Sequence, residues 1–317
     1  MGWIKKRAAF VLASEHRAAS TGLRYKLGII SDAHSGYTNG TAHLAAALKN
    51  LHDLGAQEIV SCGDSAVNGT VGEWQDYVNV IEASPYSRAQ VHECNGNHDG
   101  VAPQLTTFKQ YSNNGALSGG NPYFAIDLFG DRFIFMALDK AITPNTAECF
   151  SDAQMTWLEG ELAEHYNKNK NVWIVVHALF QKWGSGDNPS KPGYTGGLND
   201  SYTNHDRLKQ LLIQYSNCII LHGHSHIQLE DRDRDDGKYG LVVYAPPGEN
   251  SGGCHNIHVP SVTAQKFFSA PGSLQVQWDL GESQCWLCEV YSNKIVFRGI
   301  YAYTKQEVPN MVITIER

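Results

Sequence analysis

The sequence predicts an α/β fold, in which helices cover a sheet of largely parallel strands. From Tyr25 onward, five short apolar runs alternate with segments of helical periodicity, as in strand–helix–strand units. Each of these runs is followed by histidine, aspartate or asparagine. After Tyr239 the pattern becomes almost purely β, which indicates a second sheet packed on the first.

The spacing of apolar residues gives the predicted strands and helices. The strands are the apolar runs 27–30, 58–62, 91–94, 172–176 and 218–221, each short enough to be a buried strand. The helices are predicted over 41–54, 73–83, 151–166 and 204–215. In the third helix, Ser151 is followed three residues later by Gln154, the signature of a capping box, and Met155, Leu158 and Leu162 recur at helical spacing.

The rest of the chain departs from this alternation. Residues 123–138 predict a hairpin that turns at Phe129, Gly130 and Asp131. The strands predicted for the second sheet are 241–244, 274–280, 285–291, 294–303 and 311–315. Because no linker separates them from the earlier strands, we predict an N-terminal extension, 1–24, and a single domain, 25–317. Its core motifs lie in 28–227 and its second-sheet strands in 239–317.

Two segments are too long to be simple turns, 183–197 and 246–260. Long loops on an enzyme often border the substrate site. His255 and His258 in the second loop are therefore open to two interpretations, contact with substrate or a structural role.

Composition excludes one class of function. The chain has 317 residues with 25 Lys+Arg against 32 Asp+Glu, a net charge of −7, which is not the balance of a protein that binds nucleic acid by neutralising phosphates. An apolar content of 42% with 18% charged residues is typical of a globular chain. No apolar run is long enough to predict a membrane span.

The N-terminus and the cysteines bear on the compartment. Lys5, Lys6 and Arg7 precede an apolar stretch that resembles a signal peptide, but Glu15, followed by a histidine and an arginine, cuts that stretch short. The seven cysteines cannot all pair, which favours a reducing compartment. We expect a cytoplasmic protein, with secretion as the alternative.

The polar residues after the five apolar runs are candidate metal ligands. Ligands of open α/β sheets bind outside the carboxyl ends of the strands, so these residues are expected to converge. They are Asp32, His34, Asp64, Asn97, His177, His224 and His226. Imidazole and carboxylate without thiolate suit Zn, Fe or Mn, and seven groups exceed what one tetrahedral site needs, so two ions are expected.

Local geometry supports this interpretation, and each residue also has a structural alternative. If strand geometry continues, Asp32 and His34 point the same way, because alternate residues of a strand share a face. Gly63, Gly96 and Gly223 fit places where the backbone turns tightly beside the ions. Taken singly, a histidine at a strand end is more often structural, and an aspartate after glycine often marks a turn. The recurrence of the right chemistry after five runs favours metal.

The order of these motifs resembles the calcineurin-like metallophosphoesterase superfamily. The motifs are Asp-x-His, Gly-Asp, Gly-Asn-His-Asp, His and Gly-His-x-His, and they span 28–227. The resemblance implies a four-layer αββα sandwich of two mixed β-sheets flanked by helices. It also implies that Asp32, His34 and His226 hold one metal, that Asn97, His177 and His224 hold the other, and that Asp64 bridges them.

The resemblance further implies hydrolysis of a phosphate ester, with a metal-bridging hydroxide as the in-line nucleophile. Asn97 and His98 would contact the substrate. His98 would stabilise the phosphoryl oxygens or protonate the leaving oxygen, and Asp99 would orient and charge its ring. The alternative for His98 is a structural role beside the ligands.

Departures from particular subfamilies refine the expected substrate. The stretch 65–69 carries neither the arginine of the Ser/Thr protein phosphatases nor the tyrosine of purple acid phosphatases. Without that arginine, a dianionic monoester loses one partner, which favours a small soluble phosphodiester as the substrate.

The alternatives are a phosphomonoesterase such as a nucleotidase and, in another class, a protein-binding scaffold of the same fold. The sequence leaves open the metal, the substrate and the oligomeric state.

Overall fold

The computed structural model describes most of the chain, with helices packed on a centre of β-strands. The described residues are 22–100, 104–113, 120–139, 150–166, 170–178, 204–215, 218–229, 244–245, 253–263, 265–270, 273–277 and 283–317. The strands are β1 (Leu23–Ile30), β2 (Glu58–Ser61), β3 (Val91–Glu93), β4 (Phe124–Leu128), β5 (Asp131–Phe135), β6 (Val172–Val175), β7 (Ile219–His222), β8 (Tyr244–Ala245), β9 (His255–His258), β10 (Gln265–Ala270), β11 (Ser273–Gln277), β12 (Gln284–Tyr291), β13 (Lys294–Tyr301) and β14 (Glu307–Glu316). The helices are α1 (Gly40–Asp53), α2 (Val71–Glu82), α3 (Gln104–Tyr111), α4 (Asp152–His165) and α5 (His205–Gln214), with a 3₁₀ turn at Arg88–Gln90.

The strands form two mixed sheets and a separate hairpin. The first sheet has the order β14-β13-β12-β1-β2-β3, and the second has the order β4-β5-β6-β7-β9-β8. In the first sheet, β1, β2 and β3 are parallel and β12 to β14 are antiparallel. In the second sheet, β5, β6, β7 and β9 are parallel, with antiparallel strands at both edges. Strands β10 and β11 pair only with each other among the described residues.

The apolar residues lie in three clusters, and these define four layers. Between the sheets, Trp173 of β6 stacks on Phe133 of β5 at 5.3 Å and meets Phe297 of β13 edge-on at 6.2 Å between ring centroids. A second cluster joins α4 and α5 to the outer face of the second sheet. A third cluster joins α1, α2 and α3 to the outer face of the first. The predicted αββα sandwich is thus confirmed.

Capping explains where two helices begin. At the start of α4, the Ser151 hydroxyl accepts a hydrogen bond from the backbone of Gln154 at 3.1 Å, as predicted. The prediction of a full capping box is wrong, because the Gln154 side-chain amide hydrogen-bonds the buried backbone of Ala137 instead of the backbone N–H of Ser151. The full capping box belongs to α2, where Thr70 and Glu73 satisfy each other's backbone N–H groups.

The strands of the C-terminal third do not form the second sheet, and that prediction for 239–317 is wrong. Strands β12 to β14 extend the first sheet, because β12 pairs antiparallel with β1, with Leu27 opposite Cys288. Only β8 and β9 join the second sheet. Strand β9 lies within the predicted loop 246–260, and α3 and β10 were also not predicted. The predicted loop 183–197, residues 241–243 and residues 1–21 lie outside the described residues.

No helix in the described ranges is both long and apolar enough to cross a membrane.

Strand β14 offers a direct test of the packing between the sheets. Ile313 is buried in the cluster between the sheets, whereas the adjacent Val312 points outward and is 42% exposed. We expect Ile313→Ala to lower the free energy of unfolding by about 2–5 kcal/mol through lost burial and a cavity. Val312→Ala should change it by less than about 0.5 kcal/mol. Urea unfolding of both variants checks this, and equal losses would contradict the assigned faces.

Candidate metal centre

The carboxyl ends of five parallel strands meet at one edge of the sandwich. Strands β1, β2 and β3 come from the first sheet, and β6 and β7 come from the second. The loop after β1 runs beside the loop after β2, since Asp32 N donates to Gly63 O and His34 N donates to Asp64 O, both at 3.0 Å. The loop after β7 is tied to β6 through Gly223 N, which donates to His177 O at 3.0 Å.

Five of the candidate ligands have a left-handed backbone. Their φ angles are 53° for Asp32, 46° for His34, 53° for Asp64, 72° for His224 and 60° for His226. Such conformations cost about 1–3 kcal/mol each and occur where the surrounding structure enforces them, often at functional sites. Strand β1 ends at Ile30. The predicted continuation of strand geometry through Asp32 and His34 is therefore wrong, and tight turns bring these side chains together instead.

One group of candidate ligands consists of Asp32, His34, Asp64 and His226, all buried. Nε2 of His226 lies 3.0 Å from Oδ1 of Asp32 and 3.1 Å from Nε2 of His34. Nε2 of His34 lies 3.9 Å from Oδ2 of Asp64. One potential ligand atom from each of the four residues lies within 4.8 Å of the others.

A second group shares Asp64 with the first. It contains His177 and His224, and Nε2 of His177 lies 3.1 Å from Oδ2 of Asp64. Oδ1 of Asn97 lies 3.1 Å from Nε2 of His177 and 3.0 Å from Nδ1 of His224. The structure thus brings all seven predicted ligand residues together in two groups joined by Asp64.

The candidate donor atoms are better suited to binding metal ions than to hydrogen bonding with one another. Oδ1 of Asp32 is buried and faces Nε2 atoms of His226 at 3.0 Å, His34 at 3.8 Å and His177 at 4.0 Å. Nδ1 of His177 donates to Cys62 O at 2.7 Å, so in the neutral ring Nε2 carries a lone pair. A bound cation would stabilise a buried carboxylate oxygen surrounded by imidazole nitrogens.

The protonation states also suit metal binding. Burial lowers the pKa of His34 to about 3, and burial together with the nearby His177 lowers the pKa of His224 to about 4. Oδ2 of Asp32 accepts hydrogen bonds from Ser31 Oγ at 2.5 Å and from His224 N at 3.1 Å, which favours its ionised form. Neutral imidazoles and an ionised carboxylate are the forms that bind metals. Ser31 was not predicted, since a serine at a strand end has no distinctive signal.

The predicted contact between Asp99 and the His98 ring is wrong. Both Asp99 oxygens accept backbone N–H groups, from Gly96 at 2.5 Å and from Ser65 at 2.6 Å. Asp99 therefore joins the loops after β2 and β3. The His98 ring instead donates from Nδ1 to Val67 O at 2.5 Å.

Three histidines outside the two donor groups, His98, His255 and His258, differ in how close they lie to the site. The His98 ring meets the His34 ring edge-on, with 4.9 Å between centroids. His258 is buried, and its Nε2 lies 2.9 Å from Ile227 O, so it is not placed for substrate contact. His255 begins β9, at the end of that strand away from the site.

Two glycines leave room for the ligands. A Cβ at Gly223 would lie 1.8 Å from Ser31 Oγ and 2.7 Å from Asp32 Oδ2. A Cβ at Gly96 would lie 2.0 Å from Asp64 Oδ1. Gly96 and Gly223 are required because neighbouring atoms leave no room for a Cβ. Gly63 is favoured because its φ of 93° lies in the left-handed region.

Comparison with family models decides the family. The model described as calcineurin-like phosphoesterase matches residues 25–228, which include every candidate ligand. The chain belongs to the calcineurin-like phosphoesterase family. The expected enzyme class, a phosphoric ester hydrolase, is thereby confirmed. The family implies a dinuclear divalent metal centre, and the two groups around Asp64 are a candidate site for it.

Solved structures share the fold of this calcineurin-like phosphoesterase at low sequence identity. A dimetal phosphatase from Danio rerio is 15% identical with a TM-score of 0.59, over 93% of this chain and 99% of that one. A purple acid phosphatase from yellow lupin (Lupinus luteus) seeds is 14% identical with a TM-score of 0.62, over 92% and 54%. GAP50, described as the anchor in the inner membrane complex of Plasmodium, is 13% identical with a TM-score of 0.54, over 92% and 88%. No curated protein sequence matches.

Gly223→Ala tests whether the ligands need this close approach. The added methyl group would displace the Ser31 hydroxyl and the Asp32 carboxylate from their positions beside residue 223. We therefore expect metal affinity to fall about 10- to 100-fold. Gly72→Ala is the matched control, because a Cβ there meets no atom within 4 Å. Equilibrium metal binding to both variants checks the prediction. Equal affinities for Gly223→Ala and the wild type would contradict the geometry.

Proposed function

We propose that the protein is a dinuclear metal-dependent phosphodiesterase that acts on a small soluble substrate. Asp32, His34 and His226 would hold one ion, and Asn97, His177 and His224 would hold the other. Asp64 would bind both. The observation that carries the proposal is the convergence of two donor groups on this one buried carboxylate.

The donor chemistry limits the ions. The set contains imidazole nitrogens, carboxylate oxygens and one amide oxygen, and the nearby Cys62 contacts His177 through its backbone carbonyl rather than through its thiol. Such donors suit Zn, Fe or Mn, in divalent or mixed-valence pairs. Two bound cations would supply charge to clamp phosphate oxygens and to lower the pKa of a water molecule.

Exposure indicates the side from which substrate enters. Asp32, His34, Asp64 and His177 are buried, whereas Asn97 and His98 are partly exposed. A phosphate ester would thus meet the amide of Asn97 and the ring of His98 first. This is the basis for assigning both residues to substrate binding.

The hydrogen bonds of His98 support a role for this residue in catalysis. Nδ1 donates to Val67 O, and no described residue engages Nε2. The backbone N–H of His98 donates to Asp64 Oδ1 at 2.9 Å, which holds the residue beside the shared carboxylate. When protonated, Nε2 can donate to a phosphoryl oxygen or give its proton to the leaving oxygen. Val67, rather than Asp99, orients the ring.

The preference for a diester rests on charge. In the part of the chain that the structure describes, no lysine or arginine side chain contacts Asp32, Asp64, Asn97 or His98. A dianionic monoester would lack the guanidinium that commonly pairs with its extra charge. The presence of all seven candidate metal ligands also favours an enzyme over a protein-binding scaffold of the same fold. A scaffold does not need a complete set of metal ligands.

His98→Ala should separate catalysis from metal binding. Because His98 lies beside the donor groups without joining them, we expect full metal content with a loss of kcat of about 10²- to 10⁴-fold. His52→Ala, at the exposed end of α1, is the control for removal of a histidine. Metal analysis and steady-state kinetics check this. Loss of metal in His98→Ala would make His98 a ligand and contradict the assignment.

Two chromogenic substrates test the diester preference. With the same metal loaded, we expect a higher kcat/KM for bis(p-nitrophenyl) phosphate than for p-nitrophenyl phosphate. The reverse order would support the phosphomonoesterase alternative and contradict the argument from charge. Turnover of neither by metal-loaded protein would require a different ester class.

A further inference from the structure

A short segment after β9 contacts two of the three loops that carry the first group of donors, the loops after β1 and β7. Strand β9 runs parallel to β7, so its carboxyl end opens at the same edge as the candidate site. Residues 258–263 follow from this end, and they lie beyond the family match over 25–228. We call residues 258–263 the brace.

The brace binds the loop after β1 by three hydrogen bonds. Ser261 Oγ donates to Asp32 O at 3.0 Å, and Thr263 Oγ1 donates to Ala33 O at 2.6 Å. Val262 N donates to Ser31 O at 3.0 Å. Both hydroxyl side chains are buried, as is the loop that they hold. Three successive carbonyls, at 31, 32 and 33, are therefore fixed immediately before His34.

The brace also binds the loop after β7. His258 Nε2 donates to Ile227 O at 2.9 Å, and Ser225 Oγ lies 3.4 Å from Nδ1 of the same ring. Val259 N donates to His222 O at 2.7 Å. These contacts lie on both sides of His224 and His226.

We infer that the brace positions the metal ligands, with Ser261 and Thr263 as positioning residues that fix Asp32 and His34 through the backbone. The inference rests on the proposed function, since it takes these residues as ligands. Asp32 and His34 both have positive φ, a conformation that local sequence does not favour. Peptide groups held on the carbonyl side cannot rotate toward a relaxed conformation. Loss of one hydroxyl would leave a buried carbonyl without its donor, and without the Thr263 hydroxyl the Ala33–His34 peptide would be held only by the hydrogen bond from His34 N to Asp64 O.

Paired substitutions test the role of the hydroxyl groups. Thr263→Val keeps the shape of the side chain and removes the donor, whereas Thr263→Ser keeps the donor. Ser261→Ala removes the second donor. Ser84→Ala is the matched control, because Ser84 Oγ donates to a backbone carbonyl, Ile81 O at 2.7 Å, at the end of α2. Each full-length variant is stripped of metal and titrated with Zn²⁺ against a chromophoric chelator, and the melting temperature of the metal-free form is recorded.

We expect Thr263→Val and Ser261→Ala to weaken Zn²⁺ binding about 10- to 100-fold. Thr263→Ser and Ser84→Ala should bind as the wild type does, and the metal-free melting temperatures should show that every variant is folded at the temperature of the titration. If Thr263→Val does not fold, Ser261→Ala supports or overturns the inference alone. Unchanged Zn²⁺ affinity in both donor-free variants, or an equal loss in Thr263→Ser, would overturn it. A wild type that binds no Zn²⁺, Mn²⁺ or Fe²⁺ would instead overturn the proposed function, and this inference with it.

Discussion

The structure depends on one electrostatic constraint, the burial of electron-rich carboxylate and imidazole groups around Asp64. Oδ1 of Asp32 is buried and faces the Nε2 atoms of three histidines, His226, His34 and His177. Unpaired buried charge is costly, and the donor types suit transition-metal cations. The strained turns, the glycines without room for a Cβ and the tautomer of His177 all serve to bring these atoms together.

The sandwich makes this convergence possible because each sheet supplies part of the site. The first sheet brings the loops with Asp32, Asp64 and Asn97, and the second brings His177 and the loop with His224. The apolar cluster between the sheets, in which Trp173 of the second sheet meets Phe297 of the first, keeps the two edges aligned. The brace adds a sixth strand end to the arrangement, so positioning of the ligands extends beyond the residues that define the family.

The chemistry of the motifs and the positions of most strands along the chain could be predicted from the sequence because they depend on local patterns. The parallel strands, the four predicted helices and the gathering of seven donor residues all follow from such patterns. Long-range pairing could not be predicted in the same way. Nothing in the sequence of β12 indicates that it pairs with β1 rather than forming another sheet. The role of Asp99 was missed for a similar reason, because its backbone partners carry no side-chain signal.

The metal content of the purified protein is the decisive measurement for the dinuclear centre. Mass spectrometry should be done on protein purified without chelator and without an affinity histidine tag, before and after incubation with Mn²⁺, Fe²⁺ or Zn²⁺. We predict about two equivalents of metal per chain, because two donor groups share Asp64. Less than half an equivalent under every condition would contradict the dinuclear centre.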